Sequence, residues 1–144
     1  MNLNVHIMSL ANLLKTLQEE TLSDKVAILS VTDTNYDKPR IDRSKHQCFF
    51  LWMLYHDIDV PQDGLILFSR EHAERVARFV KNVANMGVTD IICQCVMGQS
   101  RSAGMAAAIS KHYLNDDNWI FSAKTPNMLV YRLMLEALHG LSAK

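Results

Sequence analysis

Residues 91–104 read IICQCVMGQSRSAG. The apolar front of this stretch has the composition of a buried strand. The small residues at its back continue into MAAAISKHYLN, which is helix-forming. Cys95, Val96, Met97, Gly98, Gln99, Ser100, Arg101 and Ser102 join the two. A short loop that leaves a strand and feeds a helix turns successive backbone N–H groups toward one point. With the helix dipole behind them, these groups form a nest for an anion. Gly98 permits a backbone conformation that a side chain would oppose. Arg101, in the first helical turn, can lay its planar fork against two oxygens of a tetrahedral oxyanion. The same positive field acts on Cys95, whose thiol is expected to ionise below its free value of about 8.5. Ser102 can donate its hydroxyl to that sulfur and stabilise the thiolate when it is the leaving group. Such a sulfur is a nucleophile held opposite the electrophile that the nest selects.

The flanking sequence says what kind of fold carries this loop. NVHIM, 4–8, predicts a short strand, followed by Ser9 as an N-cap and a helix with Leu10, Leu13, Leu14 and Leu17 on one face. KVAILSV, 25–31, is a β-branched strand, and 32–43 is polar and contains Pro39, as a loop would be. QCFFLWMLYHDI, 47–58, is continuously apolar and aromatic, as expected of a strand covered on both faces. Ser69 caps a helix that places Ala73, Val76, Ala77, Val80, Val83 and Ala84 on one face and stops at Gly87. After the strand at 88–95 and the alanine-rich helix comes a last helix. Thr125 is its expected cap, Pro126 lies in its first turn and Gly140 marks its end. The order β-α-β-β-α-β-α-α implies an α/β domain, a mostly parallel sheet of about four strands flanked by helices. Ligands in such sheets bind beyond the carboxyl ends of the strands, and the 95–102 loop lies at such an end.

Bulk properties narrow the function classes. The 144 residues fit one unit, 1–144, with no linker or repeat dividing it, and a 49% apolar content allows a real core. Fifteen basic and fifteen acidic residues cancel, and no basic stripe points to nucleic acid or to a membrane surface. No apolar run is long enough to span a bilayer, and the first twenty residues lack the pattern of a signal peptide. Three cysteines, an odd number, suit thiols in a reducing, cytoplasmic compartment. Cys93 and Cys95 are too close in sequence for a zinc pair, so no metal and no cofactor is expected. Cys93 and Cys48 read as packed core thiols, and His56 as a structural histidine.

Cys-x5-Arg-Ser at a strand-to-helix junction resembles the signature of cysteine-based protein phosphatases. MGQSRSAGMAAA, 97–108, is similar to the Gly-x-Ser-Arg-Ser and small-residue helix of the compact dual-specificity and tyrosine-phosphatase-like group. The loop lies in the last third of the chain, as in that group, whereas low-molecular-weight tyrosine phosphatases carry it near the start. The resemblance spans Phe49 to Leu138. LYHDIDVP, 54–61, looks like the segment bearing the family's general acid, and FSREHAERVARFV, 68–80, like the helix between acid and nucleophile. The chain departs from the family at Gln94, where a histidine usually precedes the nucleophile.

The resemblance implies a phosphomonoester hydrolase that acts through a phosphocysteine on Cys95, on a phosphorylated protein or a small phosphomonoester. Arg101 and the amides of Val96, Met97, Gly98, Gln99 and Ser100 would hold the phosphoryl oxygens. The leaving oxygen needs a proton, which a loop carboxylic acid can supply before acting as base toward water. Asp57, Asp59 and Asp63 are the candidates; Asp57, directly after the strand, fits the family's layout best. Two other readings stay open. One is a phosphate-binding module with weak or lost turnover, and the other is a cysteine-loop enzyme acting on thiosulfate or arsenate.

Overall fold

Four strands and five helices make up the chain in the computed structural model, which describes residues 2–142. Strand β1 is Asn4–Met8, helix α1 Leu10–Glu19, β2 Val26–Thr32, β3 Phe49–Leu54 and α2 Arg70–Asn85. Strand β4, Asp90–Gln94, leads to α3, Arg101–Leu114, then to α4, Asn118–Ala123, and α5, Met128–Ser142. The strands form one sheet in the order β1-β4-β2-β3, and every neighbouring pair is parallel. The result is the α/β domain with a four-stranded parallel sheet that the element order implied.

Side-chain alternation along β4 divides the interior into two parts. Ile91, Cys93 and Cys95 enter the larger core with Val76, Val80, Ala106, Ile109 and Met134 of α2, α3 and α5. Ile92 faces the other way and joins Leu13 and Leu17 of α1 with Ile28 and Cys48. The apolar face expected for α2 is present, with Ala73, Val76, Ala77, Val80 and Val83 all buried. Ser69 and His72 close a reciprocal capping box at its start. Ser9 likewise caps α1, its hydroxyl accepting from the Asn12 N–H.

Four sequence expectations need correction. The apolar run at 47–58 is an edge strand, with only Met53 of β3 buried, and not one covered on both faces. Aromatic residues there are covered by other means: the Lys38 ammonium lies 5.8 Å from the ring centroids of both Phe50 and Trp52. Helix α4, which carries no recognisable period in its six residues, was not expected; buried Ile120 anchors it. The last helix is capped by Asn127 and not by Thr125. Asn127 Oδ1 accepts from the Leu129 and Val130 N–H groups at 3.1 and 3.2 Å. That helix also runs through Gly140 to Ser142, and Lys81 Nζ caps the Leu141 carbonyl. A glycine near a helix end costs only about 1 kcal/mol against alanine, too little to stop a helix whose next residue packs on the core.

Candidate active site

The loop between β4 and α3 stands at the carboxyl end of a central strand, and the backbone beside it holds it in shape. The Cys95 N–H donates to the Met8 carbonyl, and the Val96 carbonyl accepts from the Leu10 N–H. The Gln99 carbonyl turns to the Thr125 N–H, and the Ser100 carbonyl to the Gly104 and Asn127 N–H groups. Three of its carbonyls are thus committed to neighbouring backbone, and the Gly98 N–H reaches the Cys95 sulfur at 3.2 Å. Gly98 has φ +68°, and a Cβ on it would stand 2.7 Å from the Ser9 nitrogen and 2.9 Å from the Met8 carbonyl carbon. Both the conformation and the space require glycine. Gly98→Ala is therefore expected to destabilise the chain by about 2 kcal/mol or more and to weaken phosphate binding. Denaturant unfolding and phosphate titration of the same variant measure the two effects.

Cys95 is 2% exposed and lies at the base of this loop, where Ser102 Oγ is 3.0 Å from its sulfur. Burial alone would raise its pKa. The Ser102 hydroxyl and N–H, the Gly98 N–H and the Arg101 charge together outweigh that, and hold the thiol below its ordinary value. Burial pushes the other two cysteines, Cys48 and Cys93, upward. Among the described residues Cys95 is thus the only thiol held below its ordinary value.

Arg101 is 6% exposed, with Nη1 donating to the Tyr55 carbonyl at 3.0 Å and to Asp33 Oδ2 at 3.4 Å. Both acceptors are on Nη1, and the other guanidinium nitrogens have no hydrogen bond among the described residues. Asp33 was not singled out in the sequence. Its one signal is its place just after β2, since parallel strands deliver their carboxyl ends to one side of the sheet.

Of the three aspartates, Asp57 is the one bonded to the loop. Its Oδ1 accepts from Ser100 Oγ at 2.8 Å and from Asn127 Nδ2 at 3.0 Å. Asn127 also donates to the Ile58 carbonyl, so a single buried amide ties the segment after β3 to the start of α5. Asp59 lines a shallow cavity of about 290 Å³ beside Asp57, Ser100 and Asn127. Asp63 belongs to a turn with Gly64 at φ +78°. Neither Asp59 nor Asp63 has a hydrogen bond to residues 95–102 among the described residues. Met97 projects from the loop at 72% exposure, and Gln99 is exposed beside it. His56 braces the same segment, with its Nδ1 accepting from the Ile66 N–H and its Nε2 3.4 Å from Thr34 Oγ1. Gln94 lies beneath the loop, where its Oε1 accepts from Ser30 Oγ; its Nε2 is buried without a partner among the described residues.

No family model and no curated protein sequence matches the chain. Solved structures do. The human tyrosine phosphatase-like serine/threonine/tyrosine-interacting protein superposes with a TM-score of 0.63 at 15% identity, over 98% of this chain and 94% of that one. Human DUSP28 gives 0.60 at 14% identity, over 96% and 94%. The Yvh1 phosphatase domain from Chaetomium thermophilum gives 0.58 at 18% identity, over 97% and 92%. At such identities the likeness is one of fold: the chain has the compact cysteine-based phosphatase fold.

Proposed function

We propose that the chain is a phosphomonoester hydrolase of the protein-tyrosine or dual-specificity type, working through a phosphocysteine on Cys95. One observation carries this reading. A buried sulfur receives an amide N–H and lies 3.0 Å from a hydroxyl, in a loop followed by an arginine anchored on the Tyr55 carbonyl. In the first step the Cys95 thiolate attacks phosphorus, the S–P bond forms and the bond to the leaving oxygen breaks. Asp57 gives its proton to that oxygen. In the second step water attacks phosphorus and passes a proton to Asp57, while the sulfur departs as a thiolate accepting from Ser102. Arg101 and the amides of residues 96–101 hold the phosphoryl oxygens as charge moves through them. Phosphorylated proteins are the proposed substrates. The free thiols suit a reducing compartment such as the cytoplasm.

A second reading is a phosphate-binding module with little turnover, and Gln94 favours it. A neutral amide with an unpartnered Nε2 lies where the family usually has histidine. The pH dependence of p-nitrophenyl phosphate hydrolysis tests both readings. The expected profile shows kcat/KM rising as Cys95 ionises, with its midpoint below the ordinary thiol value. Ser102→Ala removes a hydrogen bond to the thiolate, raises the pKa and moves that rise to higher pH. Binding of vanadate without hydrolysis would select the binding module. Turnover of thiosulfate or arsenate in place of phosphomonoesters would overturn both readings.

A further inference from the structure

We propose that the cavity formed by Lys38, Arg40 and Arg43 against β3 is a second, non-catalytic anion site that takes a phosphate-type anion. On a polypeptide substrate it takes a phosphorylated or acidic side chain a few residues from the one being hydrolysed. This second half rests on the function proposed above.

The segment between β2 and β3 starts at Asp33, beside Arg101, and re-enters the sheet at Phe49. Within it, DKPRIDR alternates in character: Pro39 is buried and Ile41 packs on the smaller core, while Lys38, Arg40 and Arg43 are exposed. The cavity measures about 420 Å³ and is lined by Lys38, Pro39, Arg40, Ile41, Arg43 and Phe50, three cations and no carboxylate. None of the three cations has a salt bridge among the described residues. Asp42, next in sequence, is already engaged, its carboxylate accepting from the Ser44 N–H and hydroxyl.

Two of the three cations are also kept from dispersing. Lys38 is held over the Phe50 and Trp52 rings, and Arg43 donates to the Cys48 carbonyl. Three like charges around one concavity repel one another, and an anion with several oxygens relieves that repulsion and meets their donors. An arginine-lined cavity between α2 and α5 differs in kind. There Arg70 and Arg78 share the walls with Glu74 and Glu136, so the charges balance internally.

The site is also placed to serve the loop. Strand β3 runs from Phe50, in the cavity wall, to the residue preceding Tyr55, whose carbonyl holds Arg101. Five strand steps cover about 16 Å, the reach of roughly five residues of extended peptide. None of the apolar side chains lining the cavity is exposed, which suits a polypeptide in solution better than a bilayer.

The test uses the full chain carrying Cys95→Ser, titrated with inorganic phosphate while backbone amide resonances are followed. Two groups of shifts are expected, one over 96–102 and one over 38–43. Adding Lys38→Gln and Arg40→Gln, both at exposed positions, should weaken the second group about tenfold or more and leave the first. Shifts confined to 96–102 would overturn the site. The substrate half is read with the Cys95 chain and two phosphopeptides, alike except for an acidic cluster about five residues from the phosphate. The acidic peptide should have a kcat/KM about five- to tenfold higher. Lys38→Gln/Arg40→Gln should erase that ratio while p-nitrophenyl phosphate turnover stays unchanged. A ratio near one in the parent chain would overturn the substrate half, as would a preference for anionic lipid vesicles lost in the same variant. Absence of all phosphatase turnover would refute the proposed function instead, and the resonance titration would still decide the site.

Discussion

Cys95→Ser is expected to lower hydrolysis of p-nitrophenyl phosphate by roughly 10⁴-fold or more while phosphate and vanadate still bind. A serine hydroxyl ionises far above neutral pH, and the Ser102, Gly98 and Arg101 contacts that hold a thiolate cannot bring an alkoxide within range. The groups expected to bind the anion are untouched: the backbone bonds that hold the loop remain, and Arg101 stays anchored on Tyr55. Steady-state kinetics beside vanadate titration separate these effects. Retained turnover would require another nucleophile. The remaining cysteines, Cys48 and Cys93, are poor replacements because burial raises both. Loss of both turnover and binding would mean that the sulfur shapes the loop and is more than its nucleophile.

The second large effect is expected at Asp57. Asp57→Asn keeps an oxygen to accept from Ser100 and Asn127, so the segment after β3 should hold its place. What is lost is the transferable proton. On substrates with poor leaving groups the rate should fall by about 10²-fold or more. On p-nitrophenyl phosphate, whose phenolate leaves without much help, the fall should be far smaller. Comparing kcat across leaving groups of rising pKa gives a steeper slope in the variant. An unchanged slope would move the acid role to Asp59, which shares the cavity beside Asp57.

These two residues also illustrate how unevenly the site could be read in advance. Cys95, Gly98, Arg101 and Ser102 fall within eight consecutive positions, and their chemistry follows from a loop entering a helix. Asp57 was one of three candidates, because nothing local distinguishes a carboxylate facing the loop from one in a turn. The Ser100 and Asn127 contacts that distinguish it span 43 and 70 residues. The Asp33 contact to Arg101 spans 68, and only the placement of β2 beside β4 explains it. The cation cavity was hidden for a similar reason. A net charge of zero says nothing about three cations gathered around one cavity whose lining holds no carboxylate.

By itself the chain determined what depends on near neighbours: the bounds of β1, the Ser9 and Ser69 caps, the buried face of α2, and the loop that joins β4 to α3. Caps, periodicity and loop-to-helix turns are set within a few residues, where side chain and backbone meet whatever the rest of the chain does. Tertiary structure alone decided that β3 is an edge strand, that the Asn127 amide holds Asp57, and that Asp33 accepts from Arg101. An apolar run has the same composition at the edge of a sheet as at its centre. Which polar groups meet across it depends on strand order, and that is settled when the two cores close around the sheet.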